Sequence, residues 1–432
     1  MVTTFSSRKS RVAWLLSVFV AIFVVSSCSD GSVREVPSAT EHSCADYSPE
    51  KLGLPGDGAT ASQAAETVTV GAEENIPEFL AQNCLRINQI QVMGSHNSYH
   101  IQGKEPLWSA LEAFDADLAA SLEYSHSPLS QQFSDEGIRQ IELDVFADPD
   151  GGRFADRHLG GLLGVPIASG IPELDLPGFK VFHVQEVDYE TTCLTLVDCL
   201  NQVKSWSDAN TSHLPIAILL ELKEDVIPDP VNAGFVQPIP YTTALLDALD
   251  AEIRSVFAED KMITPDDVRG NATTLEAAVL NDGWPTLAEA RGQVMFLMDN
   301  EGASRDAYLV EHASLAGRVL FTNAAPGNAD AAFVKMNDPT GENVAAIQAV
   351  VRKGYLVRTR TDVDTVQART GDTVQRDAAL ASGAQWLSTD YPVVGRAETF
   401  GTNYVAKIPG GSPARCNPIM AGLACRNDLL EL

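Results

Sequence analysis

Glu142 and Asp144 stand two apart in the run Ile141-Glu142-Leu143-Asp144-Val145. On a strand, residues two apart share a face, so the carboxylates project together while Ile141, Leu143 and Val145 turn the other way. Two such charges repel unless a cation lies between them. A hard divalent ion with oxygen ligands, Ca2+ or Mg2+, meets that need. Glu221 and Lys223 repeat the spacing at the end of Pro215–Leu222, a run apolar enough to be buried on both faces. A buried carboxylate needs a partner, either the lysine or a metal. Beside Glu142 and Asp144, a third carboxylate favours the metal over a plain Glu221–Lys223 ion pair.

The run Gly94-Ser95-His96-Asn97-Ser98-Tyr99 follows the first apolar segment. Asn97 offers a neutral oxygen of the kind hard ions accept, and His96 offers a proton or a positive charge near neutral pH. His183 ends Phe179-Lys180-Val181-Phe182-His183; its plainer reading is a packed, hydrogen-bonded residue. His158, in Asp156-Arg157-His158, is a rival but lies in a Gly-rich loop with no strand behind it.

Short apolar segments must position these residues. They fall at Ile87–Met93, Ile138–Phe146, Phe179–Val184, Ile216–Leu222, Gln293–Met298, Tyr355–Thr361 and Gln385–Thr389, with helical stretches at Thr195–Ser207, Tyr241–Phe257 and Glu342–Arg352. An eighth strand belongs between 318 and 338, where Val319–Thr322 and Phe333–Met336 compete. Such alternation predicts an α/β fold, either a (β/α)8 TIM-type barrel with loop insertions or a doubly wound sheet. Ionisable residues gather at the C-terminal ends of these segments, where barrel enzymes build their sites, and that favours the barrel.

Composition sets the surroundings. Acidic residues number 58 against 30 basic ones, for a net charge of −28. That balance argues against a nucleic-acid partner, which needs Lys and Arg clusters, and against electrostatic docking on an anionic leaflet. Nothing implies a protein partner. Arg8, Lys9 and Arg11 precede an apolar run, Val12–Val25, shorter than the roughly twenty residues that span a bilayer. It ends at Val25-Ser26-Ser27-Cys28, like the lipidation signal of a bacterial lipoprotein. We therefore expect a signal peptide at 1–27, a lipidated flexible tether at 28–75 and a globular barrel with a C-terminal extension at 76–432. Such a chain would sit outside the cytoplasm, held to the cell envelope by Cys28. Cys44, Cys84, Cys193, Cys199, Cys416 and Cys425 remain, an even number that suggests disulfides but allows fifteen pairings. Closeness in sequence favours Cys193 with Cys199 and Cys416 with Cys425, leaving Cys44 with Cys84.

Ser95-His96-Asn97-Ser98-Tyr99, then Glu142-Leu143-Asp144, then His183, then Leu219-Leu220-Glu221 resembles, in this order, the X half of the phosphoinositide-specific phospholipase C barrel. The likeness is closer to the bacterial calcium-dependent group, through Phe179–His183, the Cys193 and Cys199 pair, Val357-Arg358-Thr359-Arg360-Thr361-Asp362 and Ser388-Thr389-Asp390-Tyr391-Pro392. The resemblance implies Asn97, Glu142, Asp144 and Glu221 as calcium ligands, and His96 and His183 as the catalytic histidines. It also implies a phospholipid substrate whose inositol 2-hydroxyl attacks the adjacent phosphodiester, with Glu142 or Glu221 taking the proton. Lys223, Arg358, Arg360 and Asp362 are candidates to hold phosphate or ring hydroxyls, against the alternative of ion pairs at the barrel mouth. Two other readings compete. Glycerophosphodiester phosphodiesterases typically open with histidine-arginine-glycine, where this chain has His96-Asn97-Ser98. A non-catalytic calcium-dependent binding lipoprotein would not need both histidines.

Overall fold

The computed structural model describes Cys44, residues 76–422 and residues 425–431. The expected leader at 1–27, the lipidated Cys28 and the tether apart from Cys44 lie outside these residues.

Ten strands form in the described residues: β1 Ile90–Ser95, β2 Ile138–Phe146, β3 Lys180–Val181, β4 Ile216–Leu222, β5 Val294–Met298, β6 Leu320–Thr322, β7 Phe333–Lys335, β8 Leu356–Arg360, β9 Trp386–Thr389 and β10 Ala414–Cys416. Eight of them run in the order β6-β5-β4-β2-β1-β9-β8-β7, each neighbouring pair parallel. The two ends of that path meet through one parallel bridge, Asn323 with Phe333. The result is a nearly closed α/β barrel of the TIM type.

Apolar runs such as Ile216–Leu222 and Val294–Met298 make these strands because a parallel sheet under helices is buried on both faces. Helices Leu196–Ala209, Thr243–Val256, Asn343–Val351 and Val374–Ser382 pack outside it. The first two start where Thr195 and Thr242 accept the backbone N–H of Asp198 and Leu245, leaving one fewer unpaired donor at each end.

Both candidates for the eighth strand form, as β6 and β7. The segment Phe179–Val184 corrects the expectation of a barrel strand: it yields only β3, antiparallel to Val145–Phe146. Its apolar residues serve a loop cluster instead. Phe182 stacks on Phe146 at 4.2 Å and meets Phe154 edge-on at 5.1 Å, off the barrel wall.

A Cβ at Gly94 would lie 1.9 Å from Gln140 Oε1 and 3.1 Å from the Gln140 Cβ, so the two strands approach closely there. That close approach of β1 to β2 carries the first turn of the site to the carboxylates. All three expected disulfides form: Cys44–Cys84, Cys193–Cys199 and Cys416–Cys425. No helix of the described residues is long and apolar enough to cross a membrane.

Candidate active site

The register of β2 against β4 sets Asp144 opposite Glu221. Glu142, on the same face of β2, completes a group whose carboxylate oxygens lie within 4.8 Å of one another. After β1 the chain turns through Asn97 at φ 44°, a left-handed conformation that asparagine tolerates better than most residues. The serines around it hold this turn to β2. Ser98 N–H donates to the Glu142 carbonyl at 2.9 Å, and Glu142 N–H donates to Ser98 Oγ at 2.8 Å. Gln132 accepts from Ser95 Oγ and donates to the Ser98 carbonyl, both at 2.6 Å.

The oxygen atoms of this group suit a hard cation. Asn97 donates through Nδ2 to the Tyr124 hydroxyl at 3.1 Å, while its Oδ1 is buried without a partner. Both carboxylate oxygens of Asp144 are likewise buried without a hydrogen bond. Lys223 Nζ lies 3.0 Å from Asp144 Oδ2 as an ion pair only, and donates to Glu221 Oε1 at 3.0 Å. Buried acceptors are normally satisfied, so these oxygens form a donor set that could hold a hard divalent cation such as calcium.

Electrostatics agree. Burial pushes the Glu142 carboxyl up to about 8, against the pull of Arg358, and pushes Asp144 up to about 7, against the pull of Lys223. Glu221 is also raised by burial, but Lys223 outweighs that and leaves it below its usual value.

Each histidine is backed by a carboxylate. His96 Nδ1 donates to Asp390 Oδ1 at 2.8 Å, and its Nε2 lies 3.3 Å from an Arg360 N–H. Burial, then Arg360 and Arg358, hold the His96 imidazole well below its usual value. His126 Nε2 donates to the His96 carbonyl at 2.8 Å and fixes the backbone there. His183 Nδ1 donates to Asp188 Oδ2 at 2.8 Å.

The basic candidates are engaged within the barrel mouth. Arg358 donates to Glu142, to Asn337 Oδ1 at 2.6 Å and to Ser388 Oγ at 3.1 Å. Arg360 donates to Asp390 Oδ2 at 2.9 Å. Asp362 corrects an expectation. It is wholly buried, and its oxygens accept from Asp390 N–H at 2.9 Å, from Tyr404 Oη and Thr361 Oγ1 at 3.0 Å each, and from Thr389 Oγ1. It braces β8 against β9, with Oδ2 taking three of these bonds and Oδ1 one. His158 opens the short helix His158–Leu162 beside Gly234, apart from the carboxylates.

Sequence reasoning noted Asp390 without giving it a role, and it missed Asp188 and Tyr124. Only Asp390 carried a signal, as the ionisable end of the last barrel strand. Asp299, at the end of β5, was visible in the same way; it pairs with Lys335 of β7 and keeps one buried oxygen unpartnered.

Residues 85–418 match the family model of calcium-dependent phosphoinositide phospholipase C. No curated protein matches the chain. Among solved structures, it is similar to a calcium-dependent phosphoinositol-specific phospholipase C from the Gram-negative bacterium Pseudomonas sp., at 17% identity and TM-score 0.46, over 80% of this chain and 100% of that one. A calcium-dependent phosphatidylinositol-specific phospholipase C from Streptomyces antibioticus aligns at 17% identity and TM-score 0.44, over 71% of this chain and 95% of that one. The family match runs through every strand of the barrel and every residue of the site, and on that match the chain belongs to the calcium-dependent phosphoinositide phospholipase C family.

Proposed function

We propose that the chain cleaves phosphatidylinositol-type lipids into diacylglycerol and an inositol phosphate through attack of the inositol 2-hydroxyl on the neighbouring phosphorus. The observation that carries this reading is the set of orphaned oxygens on Asn97 and Asp144, beside two histidines that each donate to a carboxylate. Calcium held by Asn97, Glu142, Asp144 and Glu221 would lower the hydroxyl pKa and neutralise charge growing on the phosphoryl oxygens.

The other roles belong to side chains. Glu221 is the carboxylate suited to take the hydroxyl proton, because its side chain is 31% exposed whereas Glu142 is enclosed and bound by Arg358. Arg360, between Asp390 and His96, faces the developing negative charge together with the His96 ring. His183, with Nδ1–H fixed on Asp188, has its Nε2 edge free; protonated there as the imidazolium, it would give that proton to the glycerol oxygen as its bond to phosphorus breaks, an assistance worth about 10²–10⁴ in rate.

Exposed apolar side chains support a bilayer as the surface on which the enzyme works. Phe114, Val226 and Val394 are the most exposed large apolar side chains of the described residues, in the connections that follow β1, β4 and β9. Single exposed apolar residues are ordinary, but these three follow strands whose C-terminal ends carry residues of the site. With a net charge of −28, adhesion by these groups would be apolar rather than electrostatic. The leader-like opening, Cys28 and the disulfides support an extracytoplasmic, lipid-anchored placement. Loss of lipid labelling in Cys28→Ala would test the anchor.

The purified chain, given phosphatidylinositol vesicles, should release water-soluble inositol phosphate with calcium and not with chelator. His183→Ala should abolish release. Folded protein that releases nothing at any calcium concentration would overturn the reading.

A further inference from the structure

Asp188 Oδ2 accepts from a second histidine. His100 Nε2 lies 2.8 Å from the oxygen that already holds His183 Nδ1, and His100 is wholly buried. The other nitrogen of His100, Nδ1, lies 3.1 Å from the carbonyl oxygen of Tyr124. A carboxylate only accepts, so His100 Nε2 donates to Asp188, and the ring is fixed at both edges, by Asp188 on one side and the Tyr124 carbonyl on the other. Burial would push the Asp188 carboxyl up, but the two histidines outweigh it and hold it at about 2, in keeping with an ionised Asp188.

The backbone builds this array from two loops. Val184 and Asp188 exchange hydrogen bonds of 2.8 and 2.9 Å across a tight turn, which passes through Glu186 at φ 66°. The Glu186 carboxylate accepts from Leu159 N–H and Val236 N–H, tying the turn to the loops after β2 and β4. On the other side, Thr192 N–H donates to the Tyr99 carbonyl at 2.8 Å and His100 bridges to Thr191. The Tyr124 ring lies 4.4 Å from the His100 ring, with His126 beyond it. His183 in turn faces Glu221 and His96. The three facing atoms of His100, Asp188 and His183 lie within 4.8 Å of one another; the two hydrogens shared with one oxygen already join them.

We propose that His100 is a positioning residue of the reaction: its Nε2 clamps Asp188 from behind, so that Asp188 presents His183 with its Nε2 edge free. A carboxylate held by one histidine alone can rotate or take up a proton. Held from behind by a second, it stays ionised and in place, and the His183 tautomer is set. The inference rests on His183 acting as the acid.

The test uses the full chain with calcium on phosphatidylinositol vesicles. His100→Phe should lower kcat roughly 10- to 100-fold, as loss of an orienting partner does, with KM unchanged. His100→Gln keeps one donor toward Asp188 and should restore part of that rate. A folded His100→Phe enzyme with wild-type kcat would overturn the proposal. Imidazole ¹⁵N shifts of the wild-type chain decide the matter without a variant. A protonated Nε2 on His100 with Nδ1–H on His183 supports the clamp, and a bare Nε2 on His100 overturns it. A wild-type chain with no phosphatidylinositol activity would instead overturn the role of His183 as acid, a failure the shifts of His100 keep separate.

Discussion

Arg358 donates to Glu142 across 216 residues of sequence, from β8 to β2, and both side chains are almost fully enclosed. The guanidinium supplies a fixed positive charge to a carboxylate that also belongs to the oxygen group. One charge of the site is thus balanced by the protein itself, while Asp144 has only the ion pair with Lys223.

Removing Arg358 should expose that dependence. Arg358→Leu leaves Glu142 buried and unpaired, which should cost about 3–5 kcal/mol of stability in chelator. Calcium should recover part of the loss by supplying the missing charge. Thermal unfolding with and without calcium checks this; equal losses in both conditions would show that Glu142 does not reach the ion.

Calcium affinity should depend on pH. Metal binding requires ionised carboxylates and releases their protons. With Glu142 raised to about 8 and Asp144 to about 7, apparent affinity should rise as pH climbs from 6 to 8. The stability of the calcium-free chain should move the opposite way. A carboxyl raised on folding contributes stability that is present below its unfolded value and lost as pH rises through its folded value, here between about 4 and about 8. Calorimetric titrations in buffers of different ionisation heat, with unfolding curves in chelator across this range, measure both effects.

Asp390 orients His96 and holds Arg360 at once. Asp390→Asn should therefore lower kcat roughly 10- to 100-fold, with calcium affinity unchanged. A calcium affinity that fell in parallel would place Asp390 in the cation site instead.

The rim of exposed apolar residues should matter on membranes alone. Phe114 is 87% exposed and Val394 is 71% exposed. Replacing both with serine should weaken partition onto phosphatidylinositol vesicles by about tenfold or more, given ~1.5–3 kcal/mol for each large apolar side chain buried. Turnover of a monomeric short-chain substrate should not change. Equal loss on both substrates would count against a rim that touches lipid.

The barrel and its carboxylates were legible because both follow from local patterns. Apolar runs buried on two faces mark parallel strands, and the two-residue spacing of Glu142 with Asp144 fixes their common face. The apolar run at Phe179–Val184 misled for the same reason: burial in a loop cluster and burial in a barrel wall leave the same trace in sequence. The partners of the histidines were harder to find. His96 meets Asp390 across 294 residues, and His100 meets Asp188 across 88, distances over which no periodicity carries information. Arg358 and Arg360 were visible as cations but not as the counter-ions of Glu142 and Asp390, because the partner of a charge is decided by the closed barrel.

β1 is laced to β2 and β9 as parallel neighbours, and its first half is met from the other direction by β10 at Ile90–Cys416 and Val92–Ala414. The strand that opens the barrel therefore waits for partners made some three hundred residues later. Assembly of the site has a clock in it: His96 and Asn97 leave β1 early in synthesis, yet they reach their working positions only when the far end of the chain arrives to hold that strand.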